Sequence, residues 1–123
     1  MAKIERFEDM ECWKIARELT KMVYKISSVG ELARDFGLRD QIRRASVSIL
    51  SNIAEEFERG RDKEFLQFLA MAKGSCGEVR SQLYVAFDQS YIDEKHFKEI
   101  FDKAIEVSQI ISGLIKYLRQ SEL

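Results

Sequence analysis

The residues of this chain that could carry chemistry gather between positions 38 and 82. Gln41, Arg44, Ser48, Asn52 and Glu55 recur at helical spacing. They are rotated by roughly a quarter turn, at 3.6 residues per turn, from an apolar row of Leu38, Ile42, Ala45, Ile49 and Ile53. An ordinary surface helix puts mixed charge on its wet face. Polar residues along one edge of a core stripe predict instead a structural polar seam between helices, and Ser75, Glu78 and Gln82 supply matching positions further along. A second set is basic: Arg39, Arg43, Arg59, Arg61 and Lys63, with Lys73 and Arg80 beyond them. This set is a candidate nucleic-acid-binding face, whose contacts would go mostly to phosphates and weaken steeply with salt. Asp40, Glu55, Glu56, Glu58, Asp62 and Glu64 dilute its charge, so a solvated helix surface is the plainer reading.

Other reactive types are isolated. Glu55, Glu56, Glu58 and Glu78 suggest a carboxylate site, but bundle di-metal centres use Glu-x-x-His pairs. The one histidine, His96, stands near a helix start, where solvation or capping suits it. Cys12 and Cys76 lack metal-ligand spacing. Ser75-Cys76 has no base nearby by pattern, and no glycine-rich loop cradles phosphate. The expectation is therefore a protein with no catalytic residues, no metal and no cofactor. Trp13, Phe65, Phe97 and Phe101 lie on apolar stripes and read as core packing rather than base stacking.

At 123 residues, with 46% hydrophobic and 33% charged content, the chain reads as one globular domain over 1–123. A net charge of -1 argues against a dedicated duplex-DNA binder. The N-terminus alternates charge (Lys3, Glu5, Arg6, Glu8, Asp9), and no apolar run reaches the length of a membrane span. Both cysteines fall within helical patterns and read as reduced core residues. These features predict a cytoplasmic protein with no membrane partner.

Proline is absent, so nothing forbids long helices. Apolar residues at i, i+3 and i+4 spacing predict four of them, over about 9–27, 35–59, 62–89 and 94–120. Gly30 and Gly60 read as terminators, and Asp62 and Asp93 as N-caps. No segment alternates with period two. Short connections imply antiparallel neighbours, hence an all-α, antiparallel up-down-up-down four-helix bundle. If the second and third helices turn near Gly60, facing residues have numbers summing to about 122. Ser48 then faces Gly74 and Ser75, Gln41 faces Gln82, Glu55 faces Gln67, and Arg44 faces Glu78 in a partly buried ion pair. Gly74 and Gly77 would let the two helices approach closely. Val47, Leu50, Ala54 and Phe57 form a second apolar stripe nearly opposite the first, a candidate oligomer interface.

Several motifs together resemble the 23S rRNA intervening-sequence protein family, which includes the accessory variability determinant of diversity-generating retroelements. They are Phe7-Glu8-Asp9-Met10-Glu11-Cys12-Trp13; Leu38 to Ala45 with Ser48-Ile49 and Ser51 to Glu55; Glu64-Phe65, Ala72, Gly74-Ser75, Glu78 and Gln82; and Tyr91-Ile92. The resemblance implies a four-helix bundle that assembles as a ring-like homopentamer. It also implies an RNA or nucleoprotein partner, tied to rRNA insertions or to a reverse-transcriptase complex. Two positions depart from the family pattern: Leu50 stands where proline is usual and Glu56 where glycine is usual. On this reading the protein is a non-catalytic oligomeric scaffold or binding protein, with RNA binding as the alternative emphasis.

Overall fold

The computed structural model describes residues 4–60 and 66–121. Four long helices, α1 (Glu11–Ile26), α3 (Phe36–Glu58), α4 (Leu66–Asp88) and α5 (Glu94–Ser121), form an antiparallel bundle. A 3-10 turn at Phe7–Asp9 precedes α1, and a single-turn helix, α2 (Gly30–Arg34), joins α1 to α3. No strand occurs among the described residues. The long helices close a square, in which α1 packs on α3 and α5, and α4 packs on α3 and α5. The expected cap at Asp62, and Arg61, Lys63, Glu64 and Phe65, lie outside the described residues.

Each helix turns its apolar stripe inward. Leu19, Val23, Ile42, Ile49, Ile53, Leu69, Val79, Leu83, Val107 and Ile111 are fully buried. The helix ends follow from side-chain chemistry. Asp35 Oδ1 accepts the Leu38 N–H (3.2 Å) and so caps α3. Its Oδ2 accepts the Tyr91 O–H (3.1 Å), which ties the start of α3 to the α4–α5 turn. That bond gives the Tyr91–Ile92 pair its role, since Ile92 enters the core beside it. Asp93 caps α5 by accepting the His96 N–H (2.8 Å), and this bond holds its carboxyl below the usual range. α3 ends where Gly60 takes φ +101. At the end of α4, Ser90 adopts φ 62 while Tyr91 N–H reaches back to Ala86 O and Ser90 N–H to Phe87 O, a Schellman closure.

Two expectations change, and the leucine that replaces the family's usual proline has the effect its chemistry implies. α1 is closed by Ser27 and Ser28 rather than by Gly30, which instead opens α2 at φ +64. With leucine at position 50, α3 runs unbroken from Phe36 to Glu58. The second apolar stripe is only partly exposed, since Leu50 and Phe57 pack against the edge of the core. They sit on the side of α3 that meets α1, well short of opposite the core. Ala54 is half-buried, and Val47 alone of the four is exposed, at 39%. Glu56, one turn before the end of α3, is fully buried.

Leu83→Ala empties a site with no solvent exposure. It should lower the unfolding free energy by roughly 2–5 kcal/mol in a urea titration. A loss below about 1 kcal/mol would contradict a core position.

Candidate nucleic-acid interface

The α3–α4 contact is polar at its edge. Ser75 Oγ donates to Ser48 Oγ at 3.0 Å. Asn52 Nδ2 donates to Ser48 O (2.9 Å) and Ser48 Oγ (3.1 Å). The register inferred from facing positions therefore places Ser48 against Ser75. Outside this bond, Gln41, Arg44, Ala45, Ser48, Glu78 and Gln82 line an open groove of about 500 Å³. Arg44 and Glu78 share it, both exposed, and among the described residues no ion pair joins them. The expected buried pair is thus an open groove. Both side chains leave their helices outward of the serine contact, and a pair formed in water gains too little, ~0–1 kcal/mol, to hold two long side chains in one place. Glu55 likewise turns to its own helix and accepts from Arg59 Nε (2.6 Å) rather than meeting Gln67.

The basic residues divide sharply. Arg43 caps the end of α1, donating to Ser27 Oγ (2.8 Å) and Ser28 Oγ (3.0 Å), with its guanidinium 4.7 Å from the Tyr24 ring centroid. A cation there also meets the negative end of the α1 dipole. Arg39 donates to Ala33 O and Asp40 Oδ1, and lies over the Phe36 ring. Arg59 is held by Glu55 and lies 5.3 Å from the Phe68 ring centroid. These three arginines serve the fold. Arg61 and Lys63 lie outside the described residues.

Lys73 and Arg80 sit elsewhere. They line a groove of about 820 Å³ between α4 and α5, which also holds Lys116 and Arg119. Its other lining residues are Ala70, Gly74, Gly77, Ser112, Ile115 and Gln120, so no carboxylate lies among them. Gly74 and Gly77 do not draw α3 inward. A methyl group at Gly74 would meet nothing within 4 Å, and one at Gly77 only Arg80 Nη2 at 3.9 Å. The two glycines hollow the groove and leave backbone exposed beside the cations. Sequence reading missed Lys116 and Arg119 because they stand in a different helix, about 40 positions on. The available signal was their spacing, which places both beside Ser112 and Ile115 on one face of α5.

Other chemistry is quiet here. Burial pushes the Cys76 thiol up to about 12, so it stays neutral at ordinary pH. His96 Nδ1 lies 2.6 Å from Asp93 Oδ1 in an exposed capping pair. No group of three or more His, Cys, Asp or Glu able to hold a metal occurs among the described residues. No helix is long and apolar enough to cross a membrane among them.

Comparison with known proteins agrees with this architecture. A family model described as 23S rRNA-intervening sequence protein matches residues 8–113. A crystal structure of a protein of unknown function from the S23 ribosomal protein family of Bacteroides thetaiotaomicron is similar in fold, with a TM-score of 0.76 at 21% identity. The match covers 85% of this chain and 98% of that one. No curated protein matches.

Two outcomes follow from the site geometry. Arg44→Gln and Glu78→Gln should each change stability by less than about 0.5 kcal/mol, with a double-mutant coupling near zero. Cys76 should resist a thiol-specific reagent in the native protein and react once urea unfolds it. Prompt native labelling would contradict its burial.

Proposed function

The chain belongs to the 23S rRNA-intervening sequence protein family, and we propose that it is a non-catalytic binding protein whose α4–α5 groove takes the phosphate backbone of RNA. One observation carries this reading. Four cations, Lys73, Arg80, Lys116 and Arg119, line a groove with no carboxylate among its described lining residues, in a protein of net charge -1. Acidic groups elsewhere balance the total, so the groove is a local positive field on a nearly neutral molecule. Arginine offers planar paired donors to phosphate, and lysine a mobile point charge. Gly74 and Gly77 would let a sugar-phosphate chain approach the helix backbone, where side chains would otherwise stand.

A second reading concerns assembly, and a separate observation favours it. Phe36 and Val47 on α3, and Met71 and Val85 on α4, are exposed large apolar residues on the outer faces of two adjacent helices. Such a surface suits contact between copies of the chain. Family resemblance suggests a ring of five. Repetition around a ring would turn a weak phosphate site into a strong one by avidity.

Binding of a structured RNA, followed by fluorescence anisotropy across a salt series, tests the first reading. Affinity should fall as salt rises. Lys73→Gln and Arg119→Gln should each weaken binding and reduce the slope of log K against log salt by about 1. Arg59→Gln should leave binding nearly unchanged, because Glu55 already holds that side chain. Absence of binding even at low salt would overturn the proposal. Light scattering that gave a monomer at high micromolar concentration would overturn the assembly reading.

A further inference from the structure

The α4–α5 seam does not end with its cations. One helical turn beyond Arg80, Tyr84 lies on the same face of α4, and Phe87 follows it. Across the seam Phe97 and Phe101 of α5 complete a cluster of four rings, with Phe97 in contact with the other three. Tyr84 meets Phe97 at 5.1 Å and Phe101 at 5.4 Å between centroids. Phe97 meets Phe87 at 5.0 Å and Phe101 at 5.2 Å. Phe97 and Phe101 are partly buried and rest on the core. Tyr84 and Phe87 lie above them with 51% and 37% of their surfaces open. The outer pair thus rests on the inner pair at the protein surface.

We propose that this cluster is a base-stacking platform continuous with the cationic groove, and that the ligand of the seam is single-stranded nucleic acid. The proposal rests on the phosphate-binding reading of the groove. From Lys73 to Phe87 the seam spans about 21 Å at 1.5 Å per residue. One end presents four cations beside open backbone, and the other presents exposed aromatic faces. A chain of alternating phosphates and flat aromatic bases satisfies both ends at once. A duplex satisfies only the first, because its bases are already stacked and paired. A purely apolar protein surface would cover the rings and strand the cations. Stacking on an aromatic side chain tolerates any base, so the platform confers preference for unpaired strands rather than for a sequence. Tyr84 is the ring best placed to stack, being more exposed than Phe87 and one helical turn from Arg80 on α4.

The test uses the full chain and three probes: a single-stranded oligouridylate, an RNA duplex of equal length, and inorganic polyphosphate. A single-stranded DNA of the same length is run beside the oligouridylate. The single strands should bind more tightly than the duplex. Tyr84→Ala and Tyr84→Leu should each weaken single-strand binding by roughly 5–150-fold, the loss of one stacked base, while polyphosphate binding stays unchanged. Tyr84→Phe should retain affinity. Leucine keeps apolar bulk without a π face, so it separates stacking from packing, and a thermal melt of each variant confirms folding. Equal affinity for single strand and duplex, or Tyr84→Leu without effect, would overturn the platform and leave the groove standing. Failure of the unaltered protein to bind polyphosphate would overturn the groove itself. If Tyr84→Ala altered only the sedimentation of the protein, the cluster would be a contact between copies, and the proposal would fall.

Discussion

Everything in this bundle depends on how α4 packs against α3. The two helices meet along fully buried Ile42, Ile49 and Ile53 on one side and Ala72, Cys76, Val79 and Leu83 on the other. Burial of such residues supplies the driving force, at roughly 25 cal/mol per Å² of apolar area, but sets no unique register. The Ser48–Ser75 hydrogen bond, at the edge of that contact, favours one register over its neighbours. A slide of one turn would place Ser48 against Met71 or Val79 and leave its hydroxyl without that partner, at a cost comparable to the bond itself. The rotation of α4 set by this contact decides what its opposite edge shows. Lys73, Gly77, Arg80 and Tyr84 point along the α5 side because Ser75, Val79 and Leu83 are committed to the interior.

The basic side chains fall into two populations with different consequences. Arg43 joins α3 to the end of α1, and Arg39 and Arg59 are held by a carboxylate or a carbonyl. Such side chains have little freedom to follow a ligand. Lys73, Arg80, Lys116 and Arg119 share a groove with no carboxylate among its described lining residues. Net charge conceals this difference, because it sums over the whole surface while a ligand senses the field within about 10 Å at moderate salt. A slightly acidic protein can therefore carry a phosphate site, provided its charges are sorted by position.

Most of the architecture was legible in the residues. Helical periodicity, the turn at Gly60 and the Asp93 cap each have a local cause, so local reading reaches them. The pairing of Ser48 with Ser75 was also reachable, since it needs only an antiparallel hairpin and a turn position. What failed was the fate of long side chains at the same levels. Arg44 and Glu78 face one another by number, yet whether they touch depends on a fraction of a helical turn and on access to water. Gly74 and Gly77 were assigned to the α3 contact, when rotation places them on the α5 side. The groove escaped notice because two of its cations come from α4 and two from α5. Neither pair is unusual alone, and only the packing of the helices makes them one site.

The cations and glycines of the groove oppose folding in two ways. Glycine within a helix costs about 1 kcal/mol relative to alanine, and Gly74 and Gly77 each stand where a methyl group would meet little or nothing. Four like charges lining one groove repel one another, less in salt than in water. Neither cost is returned by a contact inside the protein, since no described partner neutralises the cations and no helix uses the space above the glycines. Local consistency with the fold is the rule for positions that only support structure, and departures from it gather where a protein meets something else. An anion with an extended backbone would offset both costs together, occupying the space and neutralising the charge. The core, rich in fully buried leucine, isoleucine and valine, is what allows α4 to carry so costly an edge and remain a helix.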